Sequence, residues 1–501
     1  MEETLAKLKD YLKKLKQYHN ITALLGWDLA TMAPEKGIDS KAEAIGYFST
    51  EAFRLSTSEE FGRILAELMI PEQFQQLNEA MQVTVKRYFR DYQRFQRVPE
   101  AFYTEYVTLQ AHSQKAWEGA KKADDFSLFA PYLDKIISMT KQYVRYMEPD
   151  QDPYDVLLDL YEDGIDRATI DHLFDELKEG LRPLLTKISQ AKQPDLSALE
   201  GMYDIRAQKK AQDLLLSYIG FDFQQGAVAE SEHPFTTELG TGDVRITNHY
   251  REHDPLSAMF SAIHEGGHAI FAQNIDPSYE NTAAAEVNMM GLHESQSRFY
   301  ENILGRNENF WVPIYGKLGE LLPQFKDIPF GTFVRAINYV QPSMIRTDAD
   351  EVTYCLHIIL RYEMERAIFN DEVTTEELPG LWNDKMEELL GIRPATDAEG
   401  ILQDTHWSDG SFGYFPSYLL GSIYDGMLLE QIEKELGSLN EILAGGRIKE
   451  ITAWLNKKIH QYGSLYNSGQ VIERICSSPL SAKPLLHYFN EKYTRLYQLE
   501  S

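Results

Sequence analysis

Apolar residues recur at three- and four-residue intervals along most of this chain, the spacing that places them on one face of an α-helix. Leu5, Leu8, Leu12 and Leu15 open the pattern, with lysines between them. It continues through Phe61 to Leu68, Leu77 to Phe95, Phe102 to Trp117, Phe129 to Met147 and Ile170 to Ile188. The period breaks between Pro234 and Tyr250. There Phe235 to Leu239 and Val244 to Thr247 read as two short strands around the glycine turn Gly240-Thr241-Gly242. Helical spacing resumes at Pro255 and runs to the C-terminus, interrupted by Gly391 to Phe415, a stretch rich in glycine, aspartate and aromatics. The pattern predicts a mostly α fold with one small sheet.

No Pro/Gly/Ser-rich linker, low-complexity run or fixed-period repeat divides the 501 residues. One helical body of two lobes, spanning residues 1–501, is the simplest expectation. The formal net charge of −28 argues against a nucleic-acid partner, which requires basic surface. An anionic ligand group would need specific local cations. Cys355 and Cys476 are the only cysteines, too few for the disulfide framework of an exported protein. The leucine spacing after Met1 marks an amphipathic surface helix, not a signal peptide. No stretch reaches about 18 uncharged apolar residues, so no membrane span is expected. These features point to the cytoplasm.

One pentapeptide carries chemistry. His264-Glu265-Gly266-Gly267-His268 is an HExxH sequence. On a helix its histidines stand at i and i+4, where both imidazoles can reach one metal ion. Glu265 is turned about 100° away and can act as a base without being a ligand. The helix is well signalled. Asp254 supplies an N-cap, Pro255 the first helical position, and Leu256, Phe260, Ile263, Gly267 and Phe271 a buried face. Each interior glycine costs ~1 kcal/mol relative to alanine, which suggests room for something close, either substrate or a packed neighbour.

A catalytic zinc needs three protein ligands. Glu294 in His293-Glu294-Ser295-Gln296 is the expected third, on a second helix reached through Asp276-Pro277 and the small residues Thr282 to Ala285. Glu280 and Glu286 are alternatives. His293 points away from Glu294 and reads as a second-layer or substrate-facing group.

Four further polar clusters are not needed by a helical core. His233-Pro234-Phe235 and Asp243-Val244-Arg245-Ile246-Thr247 flank the hairpin, whose edge could hold an extended peptide. Ile345-Arg346-Thr347-Asp348-Ala349-Asp350 opens a long helix, with Thr347 and Asp350 at capping-box spacing. Gly400 to Trp407 lies in the irregular stretch. With the HExxH and His293-Glu294-Ser295-Gln296, these resemble the six signatures of the carboxypeptidase Taq family, in the family's order. Trp27-Asp28 and Met32-Ala33-Pro34 resemble its opening segment. The resemblance implies a neurolysin-like, almost all-α fold with a deep cleft. It also implies release of single C-terminal residues with broad side-chain tolerance and poor acceptance of proline, a zinc or cobalt ion, and a homodimer.

The expected chemistry is metal-assisted peptide hydrolysis, with His264, His268 and Glu294 as ligands and Glu265 as general base. His406 and Tyr414 are candidate oxyanion donors, in a segment from Asp404 to Tyr418 that could close over substrate. Arg346 is the candidate reader of a C-terminal carboxylate, because its planar fork gives two parallel bonds. The alternative for it is a surface pair with Asp348 or Asp350. Arg245 either helps hold the peptide or pairs with Asp243, and His233 and Asp243 read as architectural. Two rivals stay open: an oligoendopeptidase on the same fold, and a non-enzymatic helical interaction protein.

Overall fold

The computed structural model describes residues 1–286 and 288–500. Helices dominate, as the apolar spacing requires. In α1 (Glu2–Thr31) the leucines at 8, 12 and 15 are buried, and they pack with Phe61, Leu65, Leu68, Met81 and Val85 in a small core of their own. A second, much larger core runs from Tyr106 to Tyr497. Arg87 ties the two together by donating to the carbonyls of Ala283 at 2.8 Å and Ser464 at 3.0 Å. Arg94 adds bonds to Glu148 at 2.8 Å and Asp159 at 2.7 Å.

The sheet has three strands, one more than the sequence pattern indicated. β3 (Val244–Asn248) lies between β1 (Gly226–Glu230), parallel to it, and β2 (Thr236–Glu238), antiparallel to it. β1 carries a glycine and two alanines and shows no clean alternation, so nothing local marks it as a strand. Its pairing partner defines it: Gly226 sits opposite Val244 and Glu230 opposite Asn248. Between β2 and β3 the chain turns through Gly240 at φ +131° and Gly242 at φ +84°, where a side chain would be strained.

Two helices frame the site. α2 (Pro255–Gln273) starts as expected, with the Asp254 carboxylate accepting the Ser257 N–H at 3.1 Å. Two 3₁₀ turns, Pro277–Tyr279 and Ala283–Ala285, lead to α3 (Met290–Arg298), which continues into a π-helical turn at Phe299–Leu304. α4 (Thr353–Phe369) and α5 (Phe415–Leu436) back these elements. Gly421 of α5 allows α3 to come close, since a Cβ there would stand 2.9 Å from the Ser295 nitrogen.

One local expectation needs correction. Residues Arg346–Asp348 form a separate 3₁₀ turn, and extended Ala349 divides it from α4. Asp350 alone caps α4, accepting the N–H of Val352 at 2.9 Å and of Thr353 at 3.0 Å, so no Thr347–Asp350 capping box forms. Hydrogen bonds tie the segment from Asp404 to Tyr418 to the helical body. Buried Glu365 accepts Trp407 Nε1 at 2.8 Å, the Gly413 N–H at 2.9 Å and the Tyr154 hydroxyl at 2.7 Å.

Candidate active site

A cleft of about 1100 Å³ lies between β2, α2, α3 and the start of α5, and His264, Glu265, His268, Glu294, Arg346 and Tyr414 all line it. Its floor depends on a close helix crossing. A Cβ on Gly267 would fall 2.6 Å from the Gln296 carbonyl oxygen and 2.8 Å from the Ser297 Cα. The glycine therefore admits the backbone of α3, the packed neighbour allowed for by the sequence. Gly266 instead faces the side chains of Leu216 and Ile219.

The close approach brings three ligand atoms together. His264, His268 and Glu294 offer donors all within 4.8 Å of one another, the one such group of three among the described residues. His264 Nε2 is 3.8 Å and His268 Nε2 3.4 Å from Glu294 Oε2. Two imidazoles and a carboxylate suit zinc and its neighbours in hardness. Glu280 and Glu286 are not part of this group. Glu286 accepts the Tyr88 hydroxyl at 2.6 Å instead.

Outer partners orient each of these three side chains. His264 Nδ1 bonds Glu301 Oε2 at 2.9 Å. Arg298 Nε donates to Glu294 Oε1 at 2.8 Å, and the Ser297 hydroxyl donates to Oε2 at 3.1 Å. His268 Nδ1 lies 2.6 Å from His293 Nδ1, whose Nε2 is 3.1 Å from Glu238 Oε1. Both ring nitrogens of His293 are thus occupied by protein, which favours the second-layer reading over substrate contact. Glu265, 7% exposed, accepts the Thr236 hydroxyl at 2.6 Å.

The electrostatics fit a cation. Burial opposes charge on His264, but Glu294 and Glu301 overcome it and push the imidazole up to about 9. Burial, reinforced by His293, takes His268 down to about 3. Burial would raise Glu294, yet His264, His268 and Arg298 hold it well below the usual carboxylate range. Burial raises Glu265. Left to itself the cluster favours a proton on His264. A divalent cation would displace that proton and satisfy the same carboxylates.

Beyond this group, Arg346 is 7% exposed and pairs with neither Asp348 nor Asp350. Its Nε and Nη2 donate to Asp404 Oδ1 at 3.1 and 2.7 Å, and Nη1 donates to the Tyr354 hydroxyl at 2.9 Å. Fully buried Arg361 donates through Nε to the other oxygen of Asp404 at 2.7 Å. Asp404 is the only carboxylate bonded to either arginine among the described residues, so the two guanidiniums share one carboxylate between them.

Three residues singled out by the motifs do not line the cleft. His406 does not line the cleft; its ring packs 4.5 Å from Phe415 and 5.5 Å from Tyr414, and burial takes it down to about 4. Arg245 is also away from the cleft. It forks onto Asp243 with two bonds of 2.8 Å and lies 4.9 Å from the Trp27 ring, joining the sheet to α1. His233 contributes its carbonyl oxygen to Ser231 at 2.6 Å, an architectural contact. Tyr354 and Tyr418 line the cleft without having been marked by any motif. Glu301 could have been found, because it follows Glu294 and Arg298 on one helical stripe.

A two-histidine, one-glutamate donor set with a further carboxylate, that of Glu265, beside it, sunk in a helical body, is the arrangement of a metal-dependent hydrolase. Residues 7–493 match the profile described as Carboxypeptidase Taq (M32) metallopeptidase. The chain is 44% identical over 492 residues to Carboxypeptidase 1 of Bacillus subtilis, covering 98% of each. It is 37% identical over 494 residues to Thermostable carboxypeptidase 1 of Pyrococcus furiosus, again covering 98% of each. The crystal structure of an M32 carboxypeptidase from Deinococcus radiodurans R1 superposes with a TM-score of 0.96 at 30% identity, over 99% of this chain and 100% of that one. The chain belongs to the carboxypeptidase Taq (M32) family of metallopeptidases, and is a metallocarboxypeptidase.

Proposed function

We propose that the cleft releases single residues from peptides ending in a free carboxylate, with His264, His268 and Glu294 holding the metal and Glu265 as the general base. The observation that carries this reading is the Arg346–Asp404–Arg361 cluster. Two guanidiniums share one carboxylate, and of the two the Arg346 guanidinium lines the cleft while being largely buried. A buried guanidinium that shares its carboxylate with a second arginine is well placed to attract an anion, and a substrate carboxylate would supply one. An endopeptidase would have no use for such a charge at the end of its substrate.

A divalent ion, when bound, supplies Lewis-acid polarisation of the scissile carbonyl and of the attacking water. Glu265 accepts the water's proton and passes it to the leaving nitrogen, and the Thr236 bond fixes the orientation of its carboxylate. Burial raises the Tyr414 hydroxyl, which therefore keeps its proton at neutral pH and can donate to the oxygen where negative charge develops. His406 acts behind it as a positioning residue, through its packing on Tyr414 and Phe415.

Zinc is the proposed ion on the chemistry of the donor set, with cobalt as the alternative. Broad side-chain tolerance, poor release of terminal proline and a homodimer follow from the family resemblance. The cytoplasmic reading rests on two unpaired cysteines. No helix is long and apolar enough to cross a membrane. The deciding experiment offers one short peptide with a free C-terminus and with a C-terminal amide and reads the products by mass. Stepwise loss of single residues from the free acid alone supports the proposal. Internal cleavage of both replaces it with the oligoendopeptidase.

A further inference from the structure

His264 and His268 are held by different outer partners. His264 meets a carboxylate directly, that of Glu301 at 2.9 Å. His268 meets a second imidazole, and the carboxylate, Glu238, comes one step later on strand β2. The side chains of the chain His268–His293–Glu238 are between 13% and 19% exposed, so solvent competes weakly for its bonds. β2 presents Thr236 and Glu238 on one face, two residues apart. Thr236 donates to Glu265. One short edge strand therefore contacts both the proposed base and, through His293, a proposed metal ligand.

We propose that Glu238 is a positioning residue that fixes the proton direction of this chain and so keeps His268 Nε2 free to bind metal. The inference rests on the assignment of His264, His268 and Glu294 as ligands. Its logic is one of donors and acceptors. A carboxylate only accepts, so His293 must present its proton on Nε2 toward Glu238. The His293 Nδ1 is then an acceptor, and His268 must donate to it through Nδ1–H. A neutral imidazole with its proton on Nδ1 carries its lone pair on Nε2, and that atom is the one facing Glu294 at 3.4 Å. With an amide in place of the carboxylate the order can reverse. The amide donates to His293 Nε2, His293 donates from Nδ1, and His268 is left with its proton on Nε2, where a metal would bind.

Glu238→Gln tests this because it changes almost nothing but the polarity. Zinc affinity is measured by competition with a chromogenic chelator on wild type, Glu238→Gln and His268→Ala. The tautomers of the ¹⁵N-labelled histidines are read by NMR in the metal-free proteins. The expected result is an affinity loss of about 10- to 100-fold for Glu238→Gln, the usual effect of removing an outer partner. It should be accompanied by Nε2-protonated His268, where wild type shows Nδ1-protonated His268 alone. Wild-type affinity and an unchanged tautomer in Glu238→Gln overturn the proposal. A wild-type His268 protonated on Nε2 also overturns it, and that measurement needs no variant to fold. If His268→Ala keeps full zinc affinity, the ligand assignment itself is wrong. Loss in His268→Ala without loss in Glu238→Gln removes only the role of Glu238.

Discussion

Replacing Glu265 with glutamine takes away one basic oxygen and leaves the three ligand residues in place. Metal content should stay near wild type while kcat falls by at least ~100-fold, the lower end for losing a general base. Elemental analysis beside steady-state kinetics checks both halves, and an active glutamine variant removes Glu265 from the mechanism. Alanine at His264, His268 or Glu294 should instead lose metal and activity together, because two ligands hold zinc poorly. Arg346→Ala separates a reader of carboxylates from a structural arginine. Loss of a buried charge-assisted pair costs ~2–5 kcal/mol, roughly 30- to several-thousand-fold in kcat/KM. That loss should fall on free-acid peptides and nearly spare any residual turnover of amidated ones. Arg346→Lys should restore part, since a point charge cannot reproduce the fork. Equal losses on both substrates would show that Arg346 only holds Asp404 and Tyr354 in place. The residues that touch within one helical stripe were readable from spacing, His264 with His268 first among them. The partners of Arg346 and His293 were not. Asp404 is 58 residues from Arg346 and Glu238 is 55 from His293, and no local pattern encodes contacts made by the fold.

Between elements, the site depends on how closely α2 and α3 cross. Gly267→Ala places a methyl group against the backbone of Gln296 and Ser297, which cannot rotate away. The two helices must part by a few tenths of an ångström or more, and Glu294 moves with α3. The variant should therefore lose metal affinity more than it loses helical content. Overpacking of this kind costs ~1–3 kcal/mol, against a gain of ~1 kcal/mol from helix propensity. Chelator competition and circular dichroism, taken together, separate the two effects. Full metal affinity in a stable Gly267→Ala protein would mean that the crossing has slack. The sequence announced the start of α2 because its cap is local, Asp254 followed by Pro255. It announced β2 and β3 because glycine marks their turn. β1 stayed hidden, since its strand identity comes from pairing with β3 and not from its own residues. The 3₁₀ turn at Arg346–Asp348 mimics a helix start in the sequence because Thr347 and Asp350 have the spacing of a cap.

For the molecule as a whole, the proposed metal site lies beside an extensive buried core. Ile263, Ile270, Leu292, Phe299 and Tyr300 around the site are buried at 3% exposure or less, within a cluster that reaches Tyr497. A chain of this size buries enough apolar surface to fold without an ion, unlike a small zinc domain. Chelation should therefore abolish activity, leave the far-ultraviolet circular dichroism near that of the loaded enzyme, and lower the melting temperature by no more than roughly 5–16 °C. The size of that shift follows from linkage. An ion present at 100 to 1,000 times its dissociation constant contributes ~2.7 to ~4.1 kcal/mol to stability. In a large domain each kcal/mol is worth ~2–4 °C or less. Restoring one equivalent of zinc should return both activity and melting temperature. Collapse of the helical signal on chelation would instead make the ion part of the fold. The His264–Glu294–Glu301 charges would then have to be what the surrounding helices cannot hold together without it.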